Sequence, residues 1–350
     1  MDASLKPESN CFFEAIGNAY LAHGGEAWRI RYLERWQPKR TLWSTLQSGI
    51  GRLPGVRSRE ARIGKHRMRY LDTGRRDRPA VVLLHGFGAS KENWLNLSFS
   101  LRRHYRLLIP DLPGFGQSSF CIDEDYSADS QAERLVAWLD QAGVERAHWV
   151  GNSLGGGVAA AVADRFAERV DSLTLMNAAG VAGARRSAFE RGLIEGRNRL
   201  VPTHKRAVRE LFLMVTERNK ELSAALLTPF IAGDMMHRAP VNRRIFLDNL
   251  RSGRSLVERL PTMQMPVLVI WGTHDRVLDP SCVEVFLSRL PRATAVVLPG
   301  VGHVPMLEVP KTTARALRSF WRGLERQASP SEAPQQAADT TSERAEAPAV

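Results

Sequence analysis

Short, unbroken apolar runs recur through the middle of the chain, separated by stretches with helical spacing. The run PAVVLLHG from Pro79 is continuous, β-branched and closed by glycine, which predicts a buried strand. YRLLIPDLPG from Tyr105, AHWVGN from Ala147, VDSLTLMNA from Val170, MPVLVIWG from Met265 and ATAVVLPG from Ala293 read the same way. Between several of them lie helical patterns. SADSQAERLVAWLDQAG has Ser and Asp near its start and a glycine stop at Gly143. LGGGVAAAVADRFAERV follows the third run and DPSCVEVFLSRLP the fifth. Strands alternating with helices predict a mostly parallel sheet covered on both faces. REARIGKHRMRYLDTG reads as an antiparallel pair turning near Gly64, at the edge of that sheet.

From about Gly180 to Leu260 the alternation stops, and arginine-studded helical patterns such as RAVRELFLMVTERNKELSAALL take over. An all-helical insertion between sheet strands predicts a cap. The expected fold class is therefore α/β: a doubly wound, mostly parallel eight-stranded sheet with a helical cap inserted before the last two strands. The sheet core is expected over residues 56–179 and 261–326, the cap over 180–260, and a helical extension over 1–55. Residues 327–350 are rich in Ala, Pro, Ser, Glu and Gln with almost no bulky apolar side chain, which predicts disorder.

Composition narrows the function classes. A chain of 350 residues, 43% apolar, can bury one large core with an inserted subdomain. No run reaches the length of a membrane span, and the start, MDASLKPESNCFF, lacks the pattern of a secretory signal. Cys11, Cys121 and Cys282 are scattered, without metal-ligand or disulfide spacing. A cytoplasmic location follows as the expectation, with no metal and no cofactor. The formal charge of +12 admits nucleic-acid binding, an anionic membrane surface, or solvated arginine faces. No nucleic-acid-binding motif accompanies it, so a nucleic-acid partner is not expected.

The segment EAWRIRYLERWQPKRTLW places Trp28, Trp36 and Trp43 among Arg29, Arg31, Arg35, Lys39 and Arg40. Tryptophan and arginine on one helix suit a membrane interface, reached together with the cap. Arg29 interrupts the aromatic face, and a helix packed on the body is the competing reading.

The chemistry concentrates at strand ends. Gly151-Asn152-Ser153-Leu154-Gly155 is a G-x-S-x-G pattern directly between a strand and a helix. A serine on that turn is strained, needs small neighbours, and projects above the carboxyl edge of the sheet. It needs a base, and His303 follows the last strand in LPGVGHVPMLEVP. The base needs a carboxylate, and Asp275 lies four residues past Trp271 at the end of the fifth run. Asp279 reads instead as the cap of a helix beginning at Pro280, His274 as pointing elsewhere, and Asp123 and Asp125 as alternative acids. The glycines of LLHGFGAS let amides turn toward a ligand, so the amides of Phe87 and Leu154 are the expected oxyanion donors, with His85 bracing the loop.

These motifs, HGFGASKENW, DLPGFGQSS, GNSLGG, WGTHD and GVGHVPMLEVP, resemble the α/β-hydrolase superfamily in register from Ser58 to Leu324. The finer resemblance is to bacterial lipases and monoacylglycerol lipases. It implies a serine esterase with a helical cap and no metal, acting on lipid-like carboxylic esters through an acyl-enzyme on Ser153. Haloalkane dehalogenases and epoxide hydrolases carry aspartate where Ser153 stands. Carbon–carbon bond hydrolases share the elbow but usually have an HGGGPG loop and a tryptophan after the histidine. Here those positions read HGFGAS and Val304, which favours ester cleavage. A ligand-binding protein of low turnover is the reading from another class. In the cap, LFLMV from Leu211 and LLTPFI from Leu226 are candidates for an acyl pocket or for the cap's own core.

Overall fold

Five of the six unbroken apolar runs become inner strands of one sheet; the sixth, ATAVVLPG, becomes the edge strand at Ala293–Leu298, where only Leu298 is buried because no further strand covers it. In the computed structural model, which describes residues 12–22, 33–34, 36–50, 55–251 and 256–328, eight strands lie in the order β1-β2-β4-β3-β5-β6-β7-β8. β1 (Arg57–Ile63) and β2 (His66–Asp72) form the antiparallel hairpin, and β2 pairs antiparallel with β4 (Arg106–Pro110). The rest are parallel: β3 (Ala80–Leu84), β5 (Ala147–Asn152), β6 (Val170–Met176), β7 (Val267–Gly272) and β8 (Ala293–Leu298). β4 and β7 are buried at every residue, whereas the edge strands β1 and β8 are largely open. That gradient is why the central runs are continuous in sequence.

Successive residues of β3 serve two separate cores. Val82 and Leu84 join Leu135, Trp138 and Val158 on one face; Val81 and Leu83 join Leu97, Leu317 and Trp321 on the other. The helices supplying those residues cover the sheet from both sides: α3 (Leu95–Leu101), α4 (Ala128–Gln141), α5 (Leu154–Arg165) and α12 (Pro310–Ala328). Ser127 caps α4 by accepting from the Ser130 amide, and Gly143 follows the helix at a φ of 66°. α12 runs to Ala328, past the expected boundary of the tail; residues 329–350 lie outside the described residues.

Among the described residues, only helices lie between β6 and β7. They are α6 (Ala188–Ile194), α7 (Lys205–Val215), α8 (Lys220–Arg251) and α9 (Leu256–Arg259). Of the two apolar patches in this insertion, LFLMV buries Leu211 and Met214 in the core. In LLTPFI, by contrast, Leu226, Leu227 and Phe230 stand exposed on α8.

The described N-terminal residues are helical only in part. α1 (Phe12–Tyr20) packs on α6 and α8, burying Ile16 and Tyr20, whose ring meets Phe246 edge-on at 5.9 Å. Residues 36–41 are not helical. Pro38 explains this: it lacks an amide hydrogen and pushes Gln37 out of the helical region. α2 (Leu42–Ile50) then starts at Thr41, whose hydroxyl accepts from the Ser44 amide at 3.0 Å while Ser44 Oγ accepts from the Thr41 amide at 2.8 Å. Trp36 is inserted between α8 and the body. Its Nε1 donates to His237 O at 3.0 Å, and its ring stacks on His237 and meets Phe120 edge-on. Trp28, Arg29, Arg31 and Arg35 lie outside the described residues.

Candidate active site

β5 ends at Asn152 and α5 begins at Leu154, leaving Ser153 alone on the turn with φ 55° and ψ −121°. A serine in that region carries roughly 1–3 kcal/mol of backbone strain. Four backbone hydrogen bonds hold it. Its amide donates to Met176 O, and its carbonyl accepts from Gly156, Gly157 and Ala179. A Cβ at Gly151 would lie 2.1 Å from Gly155 O, and one at Gly155 would lie 2.5 Å from Leu84 O and His85 O. The flanking glycines therefore allow the first turn of α5 to press against β5 and β3, which fixes the serine at the carboxyl edge.

The loop after β3 lies against this turn: a Cβ on Gly86 would stand 3.2 Å from Ser153 Cβ. Among the described residues, the amides of Phe87 and Leu154 have no hydrogen-bond partner. The Phe87 ring sits edge-on to Phe115 and to Phe246 of α8, which pins the loop between body and insertion. His85 braces it from beneath. Its Nδ1 lies 2.8 Å from Gly86 O, and its Nε2 accepts from the Leu112 amide at 3.0 Å. Burial pushes the His85 pKa down, so the ring is neutral with its proton on Nδ1.

On the next strands, His303 Nδ1 meets Asp275 Oδ2 at 2.8 Å, both side chains buried. The other carboxylate oxygen accepts from the amides of Val277 and Leu278 at 2.8 and 3.0 Å. Asn177, at φ 45° after β6, donates from Nδ2 to Asp275 Oδ2 at 2.7 Å. Asn152, the residue before the serine, donates to His303 O at 3.0 Å and to Met176 O at 3.1 Å. Among the described residues no hydrogen bond joins Ser153 Oγ to His303; the two loops are linked through Asn152.

The other candidates lie elsewhere. His274 pairs with Thr273 Oγ1, and Asp279 accepts from the amide and hydroxyl of Ser281, just before α10 (Cys282–Arg289). That helix starts two residues later than Pro280. Asp125 is held by Ser127 and Ser130 at the start of α4.

Two further sets of residues escape sequence reasoning. Glu308, at the end of α11 (Pro305–Glu308), accepts from the Gly302 amide at 2.9 Å with one oxygen. With the other it accepts from the amides of Glu217 and Arg218 at 2.7 and 2.8 Å. The His303 amide donates to Val215 O at 2.9 Å, and Arg276 donates to Leu213 O at 3.0 Å. The end of α7 is thus latched to both the Asp275 and His303 loops.

The second set is a buried charge cluster under the Phe87 loop. Lys91 Nζ lies 2.7 Å from Asp111 Oδ2, 2.9 Å from Glu92 Oε1 and 3.0 Å from Gln117 Oε1. Burial alone would lower the Lys91 pKa; the two carboxylates override it and hold the ammonium above its usual range. Gln47 of α2 reaches into the cluster, donating to Glu92 Oε2 at 2.7 Å.

A family profile described as alpha/beta hydrolase fold matches residues 79–310. Lipase 3 of Moraxella sp. (strain TA144) is 30% identical over 250 residues, covering 70% of this chain and 78% of that protein. Monoacylglycerol lipase abhd6-B of Xenopus laevis is 27% identical, covering 77% of this chain and 84% of its own. The crystal structure of a membrane phospholipase A, a bacterial virulence factor, superposes with a TM-score of 0.77 at 34% identity, covering 87% of this chain and 95% of that one.

Proposed function

The chain belongs to the α/β-hydrolase fold family and is a carboxylic ester hydrolase of the lipase kind; from that premise we propose that Ser153, His303 and Asp275 carry its reaction on lipid-like esters. The observation that carries this reading is the strained Ser153 turn, tied through Asn152 to a histidine whose Nδ1 is held by a carboxylate at 2.8 Å.

With its Nδ1 proton committed to Asp275, His303 presents the lone pair of Nε2. It takes the Ser153 hydroxyl proton as Oγ attacks the ester carbonyl. The amides of Phe87 and Leu154 receive the oxyanion, each contributing about 3 kcal/mol in the transition state. Nε2 then protonates the departing alcohol, and water, activated by the same nitrogen, releases the acid. Asp275 stabilises the imidazolium in both steps, and its carboxylate is kept in place by three donors from the protein.

Lipid-like substrates fit the lipase relatives, and a peripheral membrane contact fits the exposed side chains. Leu42 and Leu46 on α2, with Leu222, Leu226, Leu227 and Phe230 on α8, are open to solvent. Among the described residues no helix is long and apolar enough to cross a membrane. The exposed apolar side chains of α2 and α8 support a contact there; most of the Trp/Arg segment, Trp28 to Arg35, lies outside the described residues save 33–34.

The test is Ser153→Ala, assayed on aryl esters of increasing acyl length and on a monoacylglycerol. Loss of at least about a thousandfold in kcat with folding intact is expected. Wild-type activity peaking at medium to long chains supports the lipid-ester reading. Retention of most turnover by the variant overturns the assignment of Ser153.

A further inference from the structure

A cavity of about 780 Å³ opens between residues 36–40, one side of α2, the β1–β2 hairpin, residues 116–120 and α8. None of Ser153, Asp275, His303, Phe87 or Leu154 lines it. Its size is that of a ligand site, and basic side chains stand in its lining beside Trp36, Pro38 and Phe120.

Five basic side chains converge on it: Lys39 and Arg40 from one wall, Arg67 and Arg69 from β2, and Arg238 from α8. Arg67 and Arg69 lie two residues apart on one face of the strand and share a single carboxylate, Glu60, at 3.9 and 3.0 Å. Among the described residues, Lys39, Arg40 and Arg238 have no carboxylate within ion-pair distance. Arg238 donates to Gly114 O and Gly116 O and lies over the Trp36 ring, 5.6 Å from its centroid. The one carboxylate in the lining, Asp234, accepts from the Thr41 hydroxyl. Ser58 adds a hydroxyl group to the same space, whereas the Ser44 and Ser48 hydroxyls donate to Thr41 O and Ser44 O.

We propose that this cavity binds a phosphate-bearing anion, presented either by a lipid headgroup or by a small phosphate ester. Like charges gathered around a concave space repel one another, and their field is concentrated there. A single carboxylate is satisfied by one guanidinium fork. A phosphate carries more charge and more acceptor oxygens, which distribute over several basic side chains at once. The excess here is of that size: five cations against Glu60 and Asp234. The lipid source is within reach because Leu42 and Leu46 stand exposed on α2, the helix whose Ser44 and Ser48 line the cavity.

The site does not depend on the hydrolytic reading, so binding is the readout. The full chain is titrated calorimetrically with inorganic phosphate and with glycerol 3-phosphate, against acetate at equal ionic strength. Flotation is measured on phosphatidylcholine vesicles with and without phosphatidylglycerol. Two variants, Arg67→Ala/Arg69→Ala and Lys39→Ala/Arg40→Ala, remove two separate pairs of basic side chains, and circular dichroism reports whether each is folded. The expected result is binding of phosphate but not acetate, weakened about tenfold or more in each folded variant. Loss of the phosphatidylglycerol preference in the variants assigns the headgroup; loss of phosphate binding with unchanged flotation assigns the small ester. The site is overturned if wild type and both variants behave alike in both arms, or if wild type shows neither preference.

Discussion

Asn177 Nδ2 donates to Asp275 Oδ2 at 2.7 Å, and that same oxygen faces His303 Nδ1 at 2.8 Å. The carboxylate is thereby aimed from the end of β6 although it sits on the loop after β7. Asn177 holds a left-handed φ of 45°, which asparagine tolerates better than most residues, and its own amide is tied to Ile270 O. Asn177→Ala is expected to lower kcat about tenfold with little change in KM, since it loosens a group that acts through His303. Asn177→Asp sets a like charge against Asp275 and is expected to cost more. Steady-state kinetics on an aryl ester, with melting curves alongside, checks both; an unchanged kcat in Asn177→Ala would remove its positioning role.

The sequence made the sheet legible because its inner strands are buried on both faces and so appear as unbroken runs. Ser153, Asp275 and His303 stood out because each follows such a run within a few residues. Asn177 also follows one, in LMNAAG, but an asparagine after a strand reads as an ordinary turn residue until its partner across the sheet is known. Glu308 and Lys91 lay inside quoted motifs, GVGHVPMLE and GASKEN, yet charge in a motif does not say which way a side chain faces. Lys91 is fully buried, the opposite of what its type suggests. Across residues 36–41 the tryptophan and basic residues suggest a helix, and Pro38 prevents one.

Glu308 joins the insertion to the His303 loop by accepting from Gly302 on one side and from Glu217 and Arg218 on the other. Glu308→Gln keeps the acceptor oxygen but places an amide group, which cannot accept, against one set of these donors. Glu308→Ala removes both contacts. Both variants are expected to lose activity, the alanine about tenfold or more, with the insertion exchanging its amide hydrogens faster around residues 213–218. Hydrogen exchange read by mass spectrometry separates this from a general loss of stability, which would raise exchange throughout the sheet as well.

Lys91 and Gln47 predict a link between the N-terminal residues and the Phe87 loop. Removing the ammonium with Lys91→Ala leaves Asp111 and Glu92 buried without their cation, a loss of about 3–5 kcal/mol. Gln47→Ala takes away one neutral donor to Glu92 and is expected to cost about 1–2 kcal/mol, without unfolding the chain. Denaturant unfolding monitored by tryptophan fluorescence gives both values. If Gln47→Ala proved as stable as wild type, α2 would be resting on the body without being anchored to it.

Glu190 gives the stability a pH dependence of defined sign. Its carboxyl is buried in α6, accepts from the Ser187 amide at 2.7 Å, and stands near Asp279 and Asp275. Burial is the main cause that raises its pKa to about 7, with the Ser187 hydrogen bonds pulling the other way. The folded state therefore keeps a proton that the unfolded chain releases at the ordinary glutamate value of about 4.5. The favourable contribution is complete below that value and is lost as pH rises through about 7. The full swing is about 3 kcal/mol. Glu190→Gln keeps an acceptor for the Ser187 amide but cannot titrate. Relative to wild type, its melting temperature is expected to improve from pH 5 to pH 8, by roughly 5 °C. Taking the difference between the two proteins at each pH cancels the other titrating groups. A difference that stays constant over that range would mean that Glu190 is ionised in the folded protein throughout, with water or a neighbouring donor reaching its carboxylate.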